Sequence, residues 1–294
     1  MGEVREVWLT WLINRDHSAA TVRAYGDELR YLMTWAAQRA PPVTLPEQLQ
    51  AADLLSYQAE RAHLSGAARK RTVAALRSFF GWARPADNPA KALPYPRVKR
   101  RKQRHPGPAE VLQVMAACDA SPRGVRDLAL LALLYDTGLR NQEACRLQLV
   151  DVDLAGLRLK VRVKGGHEHD RVFVEQTAAC LASWLAVRAT VARPECATFF
   201  CSVYRNRDAG RPLTPGGLRS IFRYIGRRAG LATKFSPHDM RRALARSMHE
   251  QNASPEIGMA AGGWASQEVY RGYIGDVQGD TVRRFSPMRY LMGR

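Results

Sequence analysis

The sequence lacks a long hydrophobic run. Its best apolar stretch, LALLALLY at 128–135, is far shorter than the roughly 20 residues needed to cross a bilayer. The N-terminal MGEVREVWLTWL carries Glu3 and Glu6 and lacks the layout of a secretory signal. It also has no Ser or Thr at position 6 to complete a myristoylation signal. Cysteines number only five, at 118, 145, 180, 196 and 201, with no close paired spacing. That excludes a disulfide framework and a cysteine zinc site, and it fits a reducing cytoplasm. Acidic residues are also scarce: 27 Asp and Glu stand against 45 Lys and Arg, a formal net charge of +18. A surface so positive repels itself unless it meets a polyanion. Nucleic acid is then the first candidate partner, because nothing in the sequence supplies a membrane anchor.

A length of 294 residues suits two domains better than one core. There is no internal repeat and no low-complexity region. One stretch divides the chain, PYPRVKRRKQRHPGP at 94–108, in which RVKRRKQR is basic at six of eight positions. Like charges keep such a run extended. It reads as a solvated linker or as a strap along a phosphate backbone, and the basic balance of the whole chain favours the strap.

Before this stretch the pattern is helical. Val22, Tyr25, Leu29, Leu32 and Trp35 recur at spacings of three and four behind a candidate N-cap, Ser18. GAARKRTVAALRSFFGWA repeats the pattern and carries Arg69, Lys70 and Arg71 at its start. Residues 1–93 are therefore expected to form a small domain of four or five helices. After the linker, PAEVLQVMAACD and the apolar GVRDLALLALLYDTGLR read as helices. Leu157, Leu159, Val161 and Val163 then alternate with Arg158, Lys160, Arg162 and Lys164, a strand with one apolar and one basic face. GGHEHD is expected to turn and RVFV to return. From about residue 176 the pattern is again mostly helical.

Three features could carry chemistry. In YDTGLRNQEACRL, Gly138 suits a left-handed helix cap, and Asn141 is a candidate cap for the next short helix. Arg140 then stands at a tight junction, as a surface side chain or as an aimed one. In FSPHDMRRALARS, Ser236, Pro237 and Asp239 mark a helix start. His238 and Arg241 share a face in its first turn, where anions are favoured. In GGWASQEVYRGYIGD, two tyrosines stand three positions apart, Tyr270 and Tyr273. Each feature alone is common.

Taken in order, TGLRNQE, a lysine on a hairpin, HDMRR, and Gly-Trp with a tyrosine nine residues after the Trp resemble the tyrosine recombinase family. The resemblance spans nearly the whole chain and is nearest the simple two-domain type, Xer-like or loxP-recombinase-like. It implies a mainly α fold with a small antiparallel sheet. The expected parts are a helical core-binding domain at 1–93, a basic linker at 94–106 and a mixed catalytic domain at 107–284. A tail at 285–294, with Phe285, Met288, Leu291 and Met292 apolar, would dock on a neighbouring protomer or fold back on its own domain. No further N-terminal domain is expected. By the match, Arg140, Lys164, His238, Arg241 and Trp264 are catalytic and Tyr273 is the nucleophile, leaving Tyr270 to packing. Trp264 stands where most members carry His, although the recombinase that acts at loxP-type sites also uses Trp.

The implied reaction is strand exchange in double-stranded DNA through a 3′-phosphotyrosine, without ATP, cofactor or metal, in a homotetramer on two sites. Arg140 and Arg241 would clamp phosphate oxygens with forked donors. His238 would take the tyrosine proton, and Lys164 would protonate the leaving oxygen. Trp264 offers one N–H and cannot shuttle a proton. Arg69, Lys70, Arg71, Lys99, Arg100, Arg101 and Lys102 are the candidate contacts to the DNA backbone. Three departures stand out, one being a turn, GGHEHD, about two residues longer than the family's usual one. Arg242 follows Arg241 where many members have a second His. The turn also groups His167, Glu168, His169 and Asp170, which read as polar turn residues rather than a metal site. Other classes are a DNA-binding protein without catalysis, a relaxing enzyme of the type IB topoisomerase kind, and an RNA-binding protein, which would leave the motif order unexplained. The expected biological outcome is integration, excision or resolution.

Replacing Lys99, Arg100, Arg101 and Lys102 together with Gln should flatten the salt dependence of DNA affinity. All sequences should weaken about equally. Titrations over a salt series check this; altered sequence preference at an unchanged slope contradicts the strap.

Overall fold

Side-chain caps start the helices of the N-terminal half. In the computed structural model, which describes residues 2–97, 103–162, 168–203 and 208–274, Ser18 Oγ accepts from the Thr21 N–H at 3.1 Å. Ser65 Oγ does the same for Ala68 at 3.2 Å. The helices of this half are α1 (Gly2–Asn14), α2 (Ala19–Ala37), α3 (Ala51–Glu60) and α4 (Gly66–Ala83). Their apolar stripes meet in one core built on Trp8, Leu12, Leu29, Leu32, Phe79 and Phe80. Trp8 sets the centre: Tyr25 stacks on it at 6.2 Å and Phe79 meets it edge-on at 5.3 Å. Arg69, Lys70 and Arg71 lie in the second turn of α4 rather than its first, Arg69 half-buried and the other two exposed.

The chain divides into two compact units, Met1–Arg101 and Lys102–Arg294. Lys99, Arg100, Arg101, Lys102 and the tail at 285–294 lie outside the described residues. The second unit contains α5 (Pro108–Ala116), α6 (Pro122–Thr137), α7 (Asn141–Arg146), α8 (Glu175–Val191), α9 (Pro215–Arg228), α10 (Pro237–Glu250), α11 (Pro255–Gly262) and α12 (Gln267–Ile274). Helix α6 is the axis of the core, with Leu130, Leu131, Leu133 and Leu134 all buried, and it packs on α8 and α10. A small antiparallel sheet runs β1 (Val152–Asp153), β2 (Arg158–Arg162), β3 (Glu168–Val172) in that spatial order. Alternation on β2 is as read from the sequence: Leu159 and Val161 are buried, while Arg158, Lys160 and Arg162 face outward.

The hairpin differs from the sequence reading in one respect. Glu168, His169 and Asp170 are not in the turn but in β3, where Glu168 pairs with Arg162 and Asp170 with Lys160. Opposite charges across the ladder favour this register, and Arg162 Nε lies 3.3 Å from Glu168 Oε1. Lys164 and His167 lie outside the described residues. Among the described residues no group of His, Cys, Asp and Glu is placed to hold a metal, and no helix is long and apolar enough to cross a membrane. All five cysteines are free.

One buried charge ties the first unit together. Glu28, on α2, is 1% exposed. It accepts from Arg61 at 2.9 Å, Arg71 at 3.0 Å and the Thr72 hydroxyl at 2.9 Å. Removing one partner of a buried network strands the others. Glu28→Ala should therefore lower unfolding stability by about 3 kcal/mol, seen as a fall in the urea midpoint. A loss under about 0.5 kcal/mol, the size of an ordinary surface change, would contradict this.

Candidate active site

The end of α6 fixes the first site residue. Gly138 caps it at φ +59°, the left-handed region that favours glycine. A Cβ there would fall 2.8 Å from the Leu244 side chain and 3.1 Å from the Gly262 Cα, so α6 can close on α10 and α11 only with glycine at this point. Arg140 follows as the N-cap of α7. Asn141 does not cap this helix, as its spacing suggested; it is the first helical residue and donates instead to the Pro215 carbonyl at 3.2 Å. Glu143 takes over the start of α7. It accepts from the Arg140 backbone N–H and from its guanidinium, both at 2.8 Å. The sequence reading assigned Glu143 no role, although an acid at the third helical position is a recognisable signal.

The start of α10 places two more. Asp239 accepts from the Ser236 N–H and hydroxyl, each at 2.8 Å, with Pro237 at the first helical position. His238 is on the exposed rim and Arg241 is buried to 1% exposure. Arg241 Nη1 donates to the Gly138 carbonyl and, at 2.6 Å, to the Gly262 carbonyl. Its guanidinium therefore joins the end of α6 to the end of α11. Gly263 then turns the chain at φ +63°, and a Cβ there would overlap the guanidinium of Arg171 from β3. The turn delivers Trp264, whose ring lies 4.3 Å from the Arg241 guanidinium carbon.

Three hydrogen-bond donors are left over. Arg241 Nε, Arg241 Nη2 and Trp264 Nε1 are buried without a well-formed hydrogen bond among the described residues, although the Tyr273 hydroxyl lies near enough to Arg241 to favour its charge. Buried polar groups are nearly always paired. Three orphaned donors on adjacent groups therefore describe a seat for an acceptor-rich ligand. Burial pushes the Arg241 pKa down to about 10, the Arg140 charge adds to the effect, and Tyr273 and Glu143 act the other way. Two guanidiniums close enough to repel favour an anion between them.

The tyrosines separate clearly. Tyr273, on α12, is half-buried, and its hydroxyl lies 3.1 Å from His238 Nε2. Its ring is 5.3 Å from both the Arg241 guanidinium and the Trp264 ring. Tyr270 is 2% exposed and packs with Leu244, Ala245 and Trp264. Its hydroxyl donates to the Ala245 carbonyl at 3.4 Å, and burial raises its pKa. His238 is pushed below the ordinary imidazole range, first by partial covering of its ring, then by the charges of Arg242 and Arg241, with Asp239 opposing and Arg140 adding. It thus stays neutral, able to accept a proton, to lower pH than a free histidine. The structure brings Arg140, His238, Arg241, Trp264 and Tyr273 together. Lys164, outside the described residues, follows the exposed Arg162 by two positions.

Comparison with known proteins identifies the family. Residues 107–277 match the Phage integrase family, and residues 6–86 match its N-terminal SAM-like domain. The chain is 30% identical over 276 residues to tyrosine recombinase XerC 2 of Ralstonia nicotianae, covering 88% of this chain and 78% of that one. It is 29% identical over 263 residues to tyrosine recombinase XerD of Listeria monocytogenes, covering 86% and 87%. Among solved structures, XerH bound to its difH substrate superposes with a TM-score of 0.69 at 20% identity, over 90% of this chain and 78% of that one. A lambda integrase dimer bound to a core site does so with a TM-score of 0.71 at 18% identity, over 95% and 96%. The chain belongs to the phage integrase family and is a tyrosine site-specific recombinase.

Proposed function

We propose that this recombinase cuts and rejoins double-stranded DNA by direct transesterification at Tyr273, through a covalent 3′-phosphotyrosine and without metal or ATP. The observation that carries the reading is the set of buried donors on Arg241 and Trp264 beside the Tyr273 hydroxyl. A phosphodiester in that seat offers its non-bridging oxygens to Arg241, Trp264 and Arg140, where charge gathers in the transition state. The Tyr273 oxygen attacks phosphorus, and its proton passes to His238, 3.1 Å away. The bond from phosphorus to the 5′-oxygen breaks, and Lys164 protonates that oxygen. In the second half the 5′-hydroxyl of a partner strand attacks the phosphotyrosine and the proton returns to Tyr273. One phosphodiester replaces another, so no external energy is needed. The guanidiniums supply the positive charge that a cation would otherwise bring.

Duplex DNA as the partner is supported by the net charge of +18 and by the DNA present with the XerH and lambda integrase neighbours. The helical unit would bind through Arg69, Lys70 and Arg71, with the run 99–102 along the phosphates and a homotetramer assembled on two sites. Arg71 is also engaged with Glu28, so Lys70 is the freest of the three. The two units correspond in this reading to a core-binding domain at 1–93 and a catalytic domain at 107–284, and integration, excision and resolution share the same chemistry.

Two outcomes test the reading. The substrate is a nicked duplex carrying the site selected by the full chain from a random-sequence library. Tyr273→Phe should bind it normally and form no covalent adduct, whereas Tyr270→Phe should still form one; the reverse pattern contradicts the assignment. If Lys164 is the acid, Lys164→Ala should be nearly inactive on ordinary DNA. It should recover when the bridging 5′-oxygen is sulfur, because a thiol titrates near about 8.5 and leaves without help. Arg140→Ala should recover much less. Equal recovery of the two variants in single-turnover cleavage would remove Lys164 from the role.

A further inference from the structure

The residues just after the basic run are not a free linker. Gln103–Pro108 lie along α10, the helix that carries His238 and Arg241. Arg242 Nε donates to Gln103 Oε1 at 3.0 Å, while its Nη1 bonds Asp239 at 2.9 Å. Arg104 pairs with Glu110 and rests 5.4 Å from the centre of the Phe235 ring. Pro106 is buried. Arg246 Nη1 donates to the His105 carbonyl at 2.7 Å, and its Nε is braced by Glu250 at 2.6 Å. Arg242 and Arg246, four apart on one face of α10, therefore hold the segment at two successive points. Arg242 is also the residue that departs from the family pattern.

The segment so held presents His105 to the nucleophile's helix. His105 Nδ1 lies 2.8 Å from the backbone carbonyl oxygen of Tyr273. A carbonyl only accepts, so Nδ1 carries the proton and donates. Tyr273 lies in α12, whose described residues run to Ile274.

We infer that His105 is a positioning residue for Tyr273. It holds α12 at the Tyr273 carbonyl, and Arg242 and Arg246 fix the segment that delivers it. The inference rests on Tyr273 being the nucleophile. Because the held segment begins just past the basic run at 99–102, engagement of that run by DNA and placement of the nucleophile act on one continuous stretch of chain.

The test uses the full chain and the same nicked duplex. His105→Ala should slow single-turnover adduct formation about 10- to 100-fold, the scale expected for a misplaced reacting group, with duplex affinity unchanged. His105→Asn should restore most of the rate, because its amide nitrogen overlays Nδ1. His105→Gln should not, because its amide reaches the Nε2 position. Arg246→Met should also slow the step, and the double variant with His105→Ala should be no slower than the slower single. A wild-type rate in His105→Ala, equal rescue by Asn and Gln, or a loss explained wholly by weaker binding would overturn the inference. So would nitrogen-15 spectroscopy showing an unprotonated Nδ1 on His105 in the free protein. Tyr273→Phe in the same assay separates the two levels. An adduct that survives it overturns the nucleophile assignment and this inference together, whereas its loss beside a normal His105→Ala rate overturns the inference alone.

Discussion

Burial of the Arg241 guanidinium is the constraint on which the site depends. A charge at 1% exposure carries a desolvation penalty of several kcal/mol unless it is paired. The protein pairs only part of it. Nη1 is spent on the Gly138 and Gly262 carbonyls, which locks three helix ends around one side chain. Nε and Nη2 are left without a well-formed hydrogen bond among the described residues. In the proposed reaction the remainder of the penalty is relieved when a phosphate arrives, so an unsatisfied group would contribute to binding it. The glycine at 138 suits this arrangement, because the chain turns left-handed there and a Cβ would crowd Leu244 and Gly262, while the one at 263 turns left-handed beside Arg171.

Around that charge the other groups divide the work by what each can do. Trp264 offers a single N–H, which the proposed reaction gives to the phosphate, and a ring face that covers Arg241. His238 alone among the described neighbours of the Tyr273 hydroxyl can exchange a proton near neutral pH, and its lowered pKa keeps it in the accepting form. Tyr270 supplies the floor. Its buried ring packs 5.1 Å from Trp264 and sets the indole's position from beneath. Glu143 holds Arg140 in its free-state pose, and a phosphate would compete with it for the same guanidinium.

Much of this was legible from sequence because it is local. Helix caps such as Ser18, Gly138 and the Ser236–Asp239 pair are written within four residues, and the period of β2 within five. The recombinase resemblance likewise rests on short motifs in a fixed order. What sequence did not disclose is either cross-strand or long-range. Glu168 and Asp170 look like turn residues until their partners Arg162 and Lys160 are known. Asn141 is a good cap by type, but Glu143 satisfies the helix start, freeing Asn141 to bind the Pro215 carbonyl. The contact of His105 with Tyr273 spans 168 positions, and no periodicity or cap announces it. A basic, proline-flanked stretch reads as linker by composition, yet its last residues belong to the catalytic unit.

In the proposed reaction the Tyr273 hydroxyl, beside the buried donors of Arg241 and Trp264, is the group that bonds to phosphorus. The most direct measurement is mass spectrometry of the trapped protein–DNA adduct after nuclease and protease digestion. The account predicts a single nucleotide, linked through its 3′-phosphate, on the peptide that contains Tyr273 and on that residue. A nucleotide on Tyr270 or on any serine, or a linkage through a 5′-phosphate, would contradict it.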